Sequence, residues 1–180
     1  MGRGRFRSDM YDLLQSALGA AGIAPQHHDP LVDRGDGVLA LIHPHDDIPK
    51  TMLLTTVVPA LARMLAEHNA HNPHRSFRLR AVLHAGEVHH DSRGCYGEDL
   101  DLACRLLDAP AVKHHLEQSI APVVLVVSEH IYHSVIRHGY DGIDDLEFTA
   151  SVDIRLGGRM LQGRLQLAPT VQSLPALLAG

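Results

Sequence analysis

The chain has no tryptophan and few other aromatic residues, with 4 Tyr and 3 Phe in 180 residues. Aliphatic side chains must therefore carry its interior. It has only 2 cysteines, Cys95 and Cys104. They match no metal-ligand spacing, and their scarcity suits a reducing compartment rather than a disulfide scaffold. Positive charge is not in surplus: 16 Lys and Arg stand against 21 Asp and Glu, a net charge of -5. That balance argues against a nucleic-acid binder, which carries a basic excess. No apolar run is long enough to cross a bilayer; the longest, Thr51 to Ala66, contains Pro59 and Arg63. No apolar signal-peptide region follows the N-terminus, so the expected compartment is the cytoplasm. Internal repeats and low-complexity segments are also lacking. The length suits one domain with a sizeable core.

Histidine is what the chain has in abundance, 15 in all. Most of them fall in pairs or near-pairs: His27-His28, His43/His45, His68/His71/His74, His89-His90, His114-His115 and His130/His133. Neutral imidazole binds zinc well. Yet His68, His71 and His74 run across a predicted helix end into an Asn-Pro loop, where nothing fixes a tetrahedron. Scattered surface histidines are expected instead, with a net charge that responds to mild acid. Arg3, Arg5 and Arg7 give residues 1–10 the character of a basic arm, expected to be solvated and poorly ordered.

Met10, Leu13, Leu14, Ala17, Leu18 and Ala21 share one helical face, with Ser8 as a candidate N-cap and Gly22 near the stop. An Asp-Gly turn, Asp33-Arg34-Gly35-Asp36-Gly37, precedes the apolar run Val38 to Ile42 and predicts a hairpin. Pro49 to His68 reads as a second helix with Met52, Leu53, Leu61, Met64 and Leu65 inward, kinked or broken at Pro59. Phe77 to His84 alternates as a strand, with Phe77, Leu79, Ala81 and Leu83 on one face and Arg78 and Arg80 opposite. Glu98 to Leu107 and Ala111 to Gln118 read as short helices, and Val123 to Val127 as a buried strand. Ser128 caps a helix that Gly139 ends, and a final hairpin turns at Gly157-Gly158. This interleaving predicts an α/β sandwich, a mostly antiparallel sheet with helices packed on it.

Three blocks carry more than secondary structure: the Asp36 turn; Arg78-Leu79-Arg80-Ala81-Val82-Leu83-His84-Ala85-Gly86-Glu87-Val88; and Tyr96-Gly97-Glu98-Asp99-Leu100-Asp101-Leu102-Ala103-Cys104-Arg105-Leu106-Leu107. In this order and spacing they resemble the class III nucleotidyl cyclase homology domain, the adenylate and guanylate cyclase family, in its small stand-alone actinobacterial form. The resemblance runs from Tyr11 to Leu167, within a domain at 11–168 followed by a tail at 169–180. It implies a ferredoxin-like cyclase-type core, a head-to-tail dimer, a nucleoside triphosphate as ligand and Mg or Mn as the accompanying cation.

A cyclase brings a ribose hydroxyl onto the α-phosphorus while pyrophosphate leaves, and so needs cations and donors around developing charge. Carried over by motif, Asp36 falls at the second metal aspartate and Arg105 at the transition-state arginine. Arg155 falls near a phosphate-binding lysine position, where a guanidinium can still hold phosphate. The departures are several. Asp101 occupies the asparagine position one turn before Arg105, puts a carboxylate where ribose and phosphate are contacted, and can bond Arg105. Val32 and Gly94 stand at the base-reading positions and can read no base edge. Met1 to Arg7 is too short and too charged to be the family's opening strand, which carries the first metal aspartate. Either the true start lies upstream, or another chain supplies a strand, or the sheet has been rebuilt.

The resulting expectation is a catalytically degenerate cyclase-homology domain. It would act as a dimerising module that binds a nucleotide or a partner, as a homodimer or paired with a cyclase-like subunit, with no nucleic acid and no membrane involved. Two alternatives stay open: an active class III cyclase making a cyclic mononucleotide and pyrophosphate, and a ligand-free interaction domain.

Overall fold

The computed structural model describes residues 3–167. The chain forms two compact units, which meet in sequence between Phe77 and Arg78.

The first unit opens with helix α1, Arg3–Ala20, whose Met10, Ala17 and Leu18 are buried. The helix takes in most of the basic stretch that was expected to be disordered, and Ser8 lies inside it rather than at its cap. Arg7 accounts for part of this: it pairs with Asp33 and lies 5.8 Å from the Tyr11 ring centroid. The end is as expected. Gly22 takes φ +76°, and the amides of Gly22 and Ile23 donate back to Gly19 O at 2.9 Å and Leu18 O at 3.0 Å.

Strands β1, Val32–Asp33, and β2, Val38–Leu39, form a separate two-stranded antiparallel sheet. Asp33 Oδ1 accepts the Gly35 amide at 2.9 Å, and Gly35 sits at φ +83°, which explains the glycine in this turn.

A continuous helical run follows: α2, Lys50–Met52, a π turn at Leu53–Val57, and α3, Val58–His71. The break predicted at Pro59 takes this form. Pro59 falls in the first turn of α3, where its missing N–H is tolerated. The π turn adds one residue and so rotates the apolar stripe by about 100°. Hence Leu54, Val57 and Val58 are buried with Leu61 and Leu65, and Met52 and Leu53 are only half-buried. Asn69 ties the end of the unit, donating to Phe77 O at 2.7 Å and accepting its amide at 3.0 Å.

The second unit contains β3, Leu79–Leu83; the hairpin strands β4, His89–Asp91, and β5, Gly94–Tyr96; helices α4, Glu98–Leu107, and α5, Pro110–Gln118; β6, Val123–Ser128; α6, Glu129–Ser134; and the hairpin β7, Ala150–Leu156, and β8, Arg159–Leu165. Its main sheet has the order β3-β6-β8-β7, with β3 parallel to β6 and the other pairs antiparallel. Every residue of β6 is buried, as its unbroken Val-Val-Leu-Val-Val run requires of a central strand. Val124 and Val126 of β6 pack with Leu106, Ala109, Val112, Val152, Ile154 and Leu165, so α4 and α5 cover this face.

Arg78 and Arg80 share that covered face with Val82 and are not spent on solvent. Arg80 Nη1 donates to Leu107 O at 2.7 Å, and Arg78 Nη1 donates to Leu116 O at 2.7 Å. Each arginine thus caps the carbonyl end of one helix, where cations are favoured. Gly157 at φ +54° and Gly158 at φ +79° turn the last hairpin as predicted.

Candidate functional site

Parallel pairing of β3 and β6 brings their carboxyl ends side by side, the usual place for ligand contacts in such sheets. Leu83 is opposite Val127, so His84 follows one strand where Ser128 closes the other. His84 Nδ1 lies 2.7 Å from Ser128 Oγ, and His84 Nε2 lies 2.9 Å from Asp99 Oδ1 in the first turn of α4. Asp99 Oδ2 also accepts the Glu87 amide at 2.7 Å. The imidazole is nearly closed off from solvent, with its side chain 9% exposed, and Ser128 is buried.

Gly86 makes this possible. A Cβ there would lie 2.1 Å from Asp99 Cγ, so the loop can wrap the carboxylate only without a side chain. Burial opposes the charge on Asp99, but the bonds from His84 and the Glu87 amide, with the fields of His84 and His130, outweigh it and hold its carboxyl below the ordinary range.

Ser, His and Asp in one hydrogen-bonded row invite comparison with a nucleophilic triad. The order of contacts and the burial oppose that role. Ser128 Oγ already accepts the Ile131 amide at 3.4 Å as the N-cap of α6, and its burial leaves an acyl donor no approach. The three residues act as a positioning lock that holds the start of α4 against the strand ends.

That helix carries two of the residues singled out in the sequence. Asp101 and Arg105 are both exposed on α4, and among the described residues no ion pair joins them, contrary to the expected bond across the turn. Arg80 and Lys113 instead meet Asp108, each at 3.2 Å. Burial opposes ionisation of Asp108 too, and these two cations outweigh it and hold its carboxyl low. Glu98, Asp99 and Asp101 make the first turn of α4 acidic, which suits the helix dipole and disfavours an anion at that end.

Arg155 is not gathered with Arg105. It is exposed near the tip of the β7–β8 hairpin, on the strand face opposite Ile154, and its Nε donates to Met160 Sδ at 3.4 Å. On that side a shallow hollow is lined by Glu129, His133, Asp153, Met160 and Gln162. Its carboxylates already have partners: Glu129 meets His133 at 2.7 Å and Arg164 at 2.8 Å, and Asp153 accepts from Gln162 at 2.7 Å.

Asp36 belongs to the first unit and is exposed in the β1–β2 turn. Val32 lies in β1 and Gly94 in β5 at φ +136°. Among the described residues, no group of three or more His, Cys, Asp or Glu side chains could hold a metal ion. Asp36 alone therefore does not fit a two-aspartate magnesium or manganese site. No described helix is long and apolar enough to cross a membrane. The roles of His84, Asp99 and Ser128 are not apparent from composition. Their signal lay in the block Leu83-His84-Ala85-Gly86-Glu87, a histidine directly after a strand and before a glycine.

No model of a known protein family matches the chain, and no curated protein matches it either.

Proposed function

We propose that the chain is a nucleotidyl cyclase homology domain with a degenerate catalytic set, working as a dimerising module that binds a nucleoside triphosphate or a protein partner. In this reading the β3-β6-β8-β7 sheet with α4 and α5 is a rebuilt ferredoxin-like cyclase core. The observation that carries the reading is α4 itself. It is anchored at its start by Asp99 and at its end by Arg80, and it leaves Asp101 and Arg105 exposed one turn apart. Arg105 supplies attraction for a phosphate, and Asp101 opposes it. Val32 and Gly94 offer no hydrogen-bonding side chain to a base, which argues against selective turnover. Mg or Mn would enter with the triphosphate.

The test is turnover by the purified full chain with manganese and each of the four ribonucleoside triphosphates. No cyclic mononucleotide above a boiled control is expected, and light scattering at micromolar concentration should give more than the mass of one chain. Cyclic product that disappears in Asp36→Ala would establish the active cyclase instead.

The charges on α4 give a sharper expectation. Asp101→Asn removes a carboxylate facing the phosphate, so triphosphate binding measured by titration calorimetry with magnesium should tighten by about 1–2 kcal/mol, the scale of a hydrogen bond to a charged group. Arg105→Ala should weaken it by a similar amount. If no triphosphate binds even to Asp101→Asn, the ligand-free interaction domain is the better description.

A further inference from the structure

Strand β7 ends the sheet order β3-β6-β8-β7, and no described strand pairs with its other edge. All 7 of its residues keep an unbroken register with β8, without proline or bulge, so that edge is regular as well as open. Proteins usually blunt such edges, because a free row of N–H and C=O groups is a template for another strand.

Which groups are free follows from the hairpin. Gly157 and Gly158, both at positive φ, make a two-residue turn closed by Leu156 and Arg159. That closing pair exchanges backbone hydrogen bonds, and bonded and non-bonded pairs alternate along the ladder from there. Val152, Ile154 and Leu156 thus spend their amides and carbonyls on β8, and Ser151, Asp153 and Arg155 turn theirs outward. Side chains alternate in step. Val152 and Ile154 are buried in the core with Leu106 of α4, and Ser151, Asp153 and Arg155 are exposed on the other face.

We propose that β7 pairs antiparallel with β7 of a second copy about a twofold axis at Ile154, joining the four-stranded sheets of two chains into one. This supplies a surface for the dimerising part of the proposed function and rests on it. Charge selects the register. Residues with outward backbone groups can pair only with one another. An axis at Asp153 or Arg155 would set that charge against its own copy, and an axis at Val152 would leave Arg155 facing Thr149, outside the strand. An axis at Ile154 sets Asp153 opposite Arg155 twice, opposite charges in directly facing pairs. On the covered face it sets Ile154 against itself and half-buried Leu156 against Val152, so apolar meets apolar. Both charges are available: Asp153 engages Ser151 and Gln162 through Oδ1, and Arg155 meets the weakly accepting sulfur of Met160. The opposite edge strand, β3, has no acidic residue to match its arginine in this way.

The experiment is sedimentation velocity of the full chain over a micromolar concentration series, in which the parent should dimerise. Asp153→Arg and Arg155→Asp each set like charges opposite one another twice. Each should raise the dimer dissociation constant by about tenfold, as two facing pairs turn from attraction to repulsion. An equimolar mixture of the two variants should dimerise as tightly as the parent, because every mixed pair again sets arginine against aspartate. Circular dichroism checks the fold of each variant. On the parent chain itself, the outward amides of Asp153 and Arg155 should exchange hydrogen more slowly in the dimer than in the monomer, a readout that no misfolded variant obscures. A dimer that neither substitution weakens, a loss that mixing does not restore, or amides equally exposed in both states overturns this pairing and leaves the dimerising function standing. A parent chain that stays monomeric overturns both.

Discussion

Gly86→Ala should lower the chain's stability by about 3 kcal/mol, an overpacking clash added to lost hydrogen bonds. The new methyl would lie 2.1 Å from Asp99 Cγ and 2.6 Å from Asp99 Cβ, so the whole side chain must leave, not only its tip. Its bonds to His84 Nε2 and to the Glu87 amide go with it. His84 is then left nearly buried without its acceptor, and an unpaired buried donor costs more than the bond was worth. The double variant Gly86→Ala/Asp99→Ala tests the account, because it removes the clash with the Asp99 carboxyl group while leaving the bonds broken and the tight Cβ contact in place. It should be no less stable than Gly86→Ala alone, a strongly non-additive result. Urea unfolding followed by circular dichroism reads both. A Gly86→Ala midpoint equal to that of the parent chain would rule out the lock described here.

The second large effect is expected at Gly163 in β8, where Gly163→Ala should cost about 2–3 kcal/mol, the usual range for overfilling a packed interior. A Cβ there meets Leu106 Cδ2 and Val127 O, each at 2.7 Å. Leu106 is fully buried, and Val127 O belongs to the backbone of the buried central strand, so neither side can yield cheaply. Gly37→Ala is the control: its Cβ would meet nothing within 4 Å, and its φ is not positive. Its midpoint should stay within about 0.5 kcal/mol of the parent, as for an ordinary surface change. Equal midpoints for the two variants would contradict the packing of α4 on β8.

Elements with a strong local signal were legible in the sequence. Val123 to Val127 could only be a buried strand, and Ser128 and the Gly157-Gly158 pair marked a cap and a turn through their own chemistry. The β4–β5 hairpin was not legible, because its outward residues are polar and its turn is held by Asp91 Oδ1 accepting the amides of Arg93 and Gly94 at 2.7 and 3.1 Å. The start of α1 was misjudged because the partner of Arg7, Asp33, is distant in sequence. Division into two units could not be read from length, which says nothing of where contacts fall. Arg78 and Arg80 read simply as the polar side of a strand, and only the structure gives them carbonyls to cap. For the candidate site, Asp101 and Arg105 on one exposed helix face followed from their spacing. The placing of Arg155 on the other side of the sheet from that helix did not, because it depends on which face of β7 it occupies.

One consequence of α4 concerns length rather than chemistry. Both of its anchors come from a single short stretch, Arg80 within β3 and His84 just after it, and they grip the helix at Leu107 and Asp99. Four strand residues span about 13 Å at roughly 3.3 Å each. Eight helical residues span about 12 Å at roughly 1.5 Å each. Strand and helix are thus commensurate, and β3 works as a ruler laid antiparallel to α4. The outward surface of the helix is free to vary in composition, but an inserted or deleted residue between the two grips would throw one of them out of register. Where Arg105 stands on the molecule is consequently set by a count of residues, and substitutions on that surface leave its place unchanged.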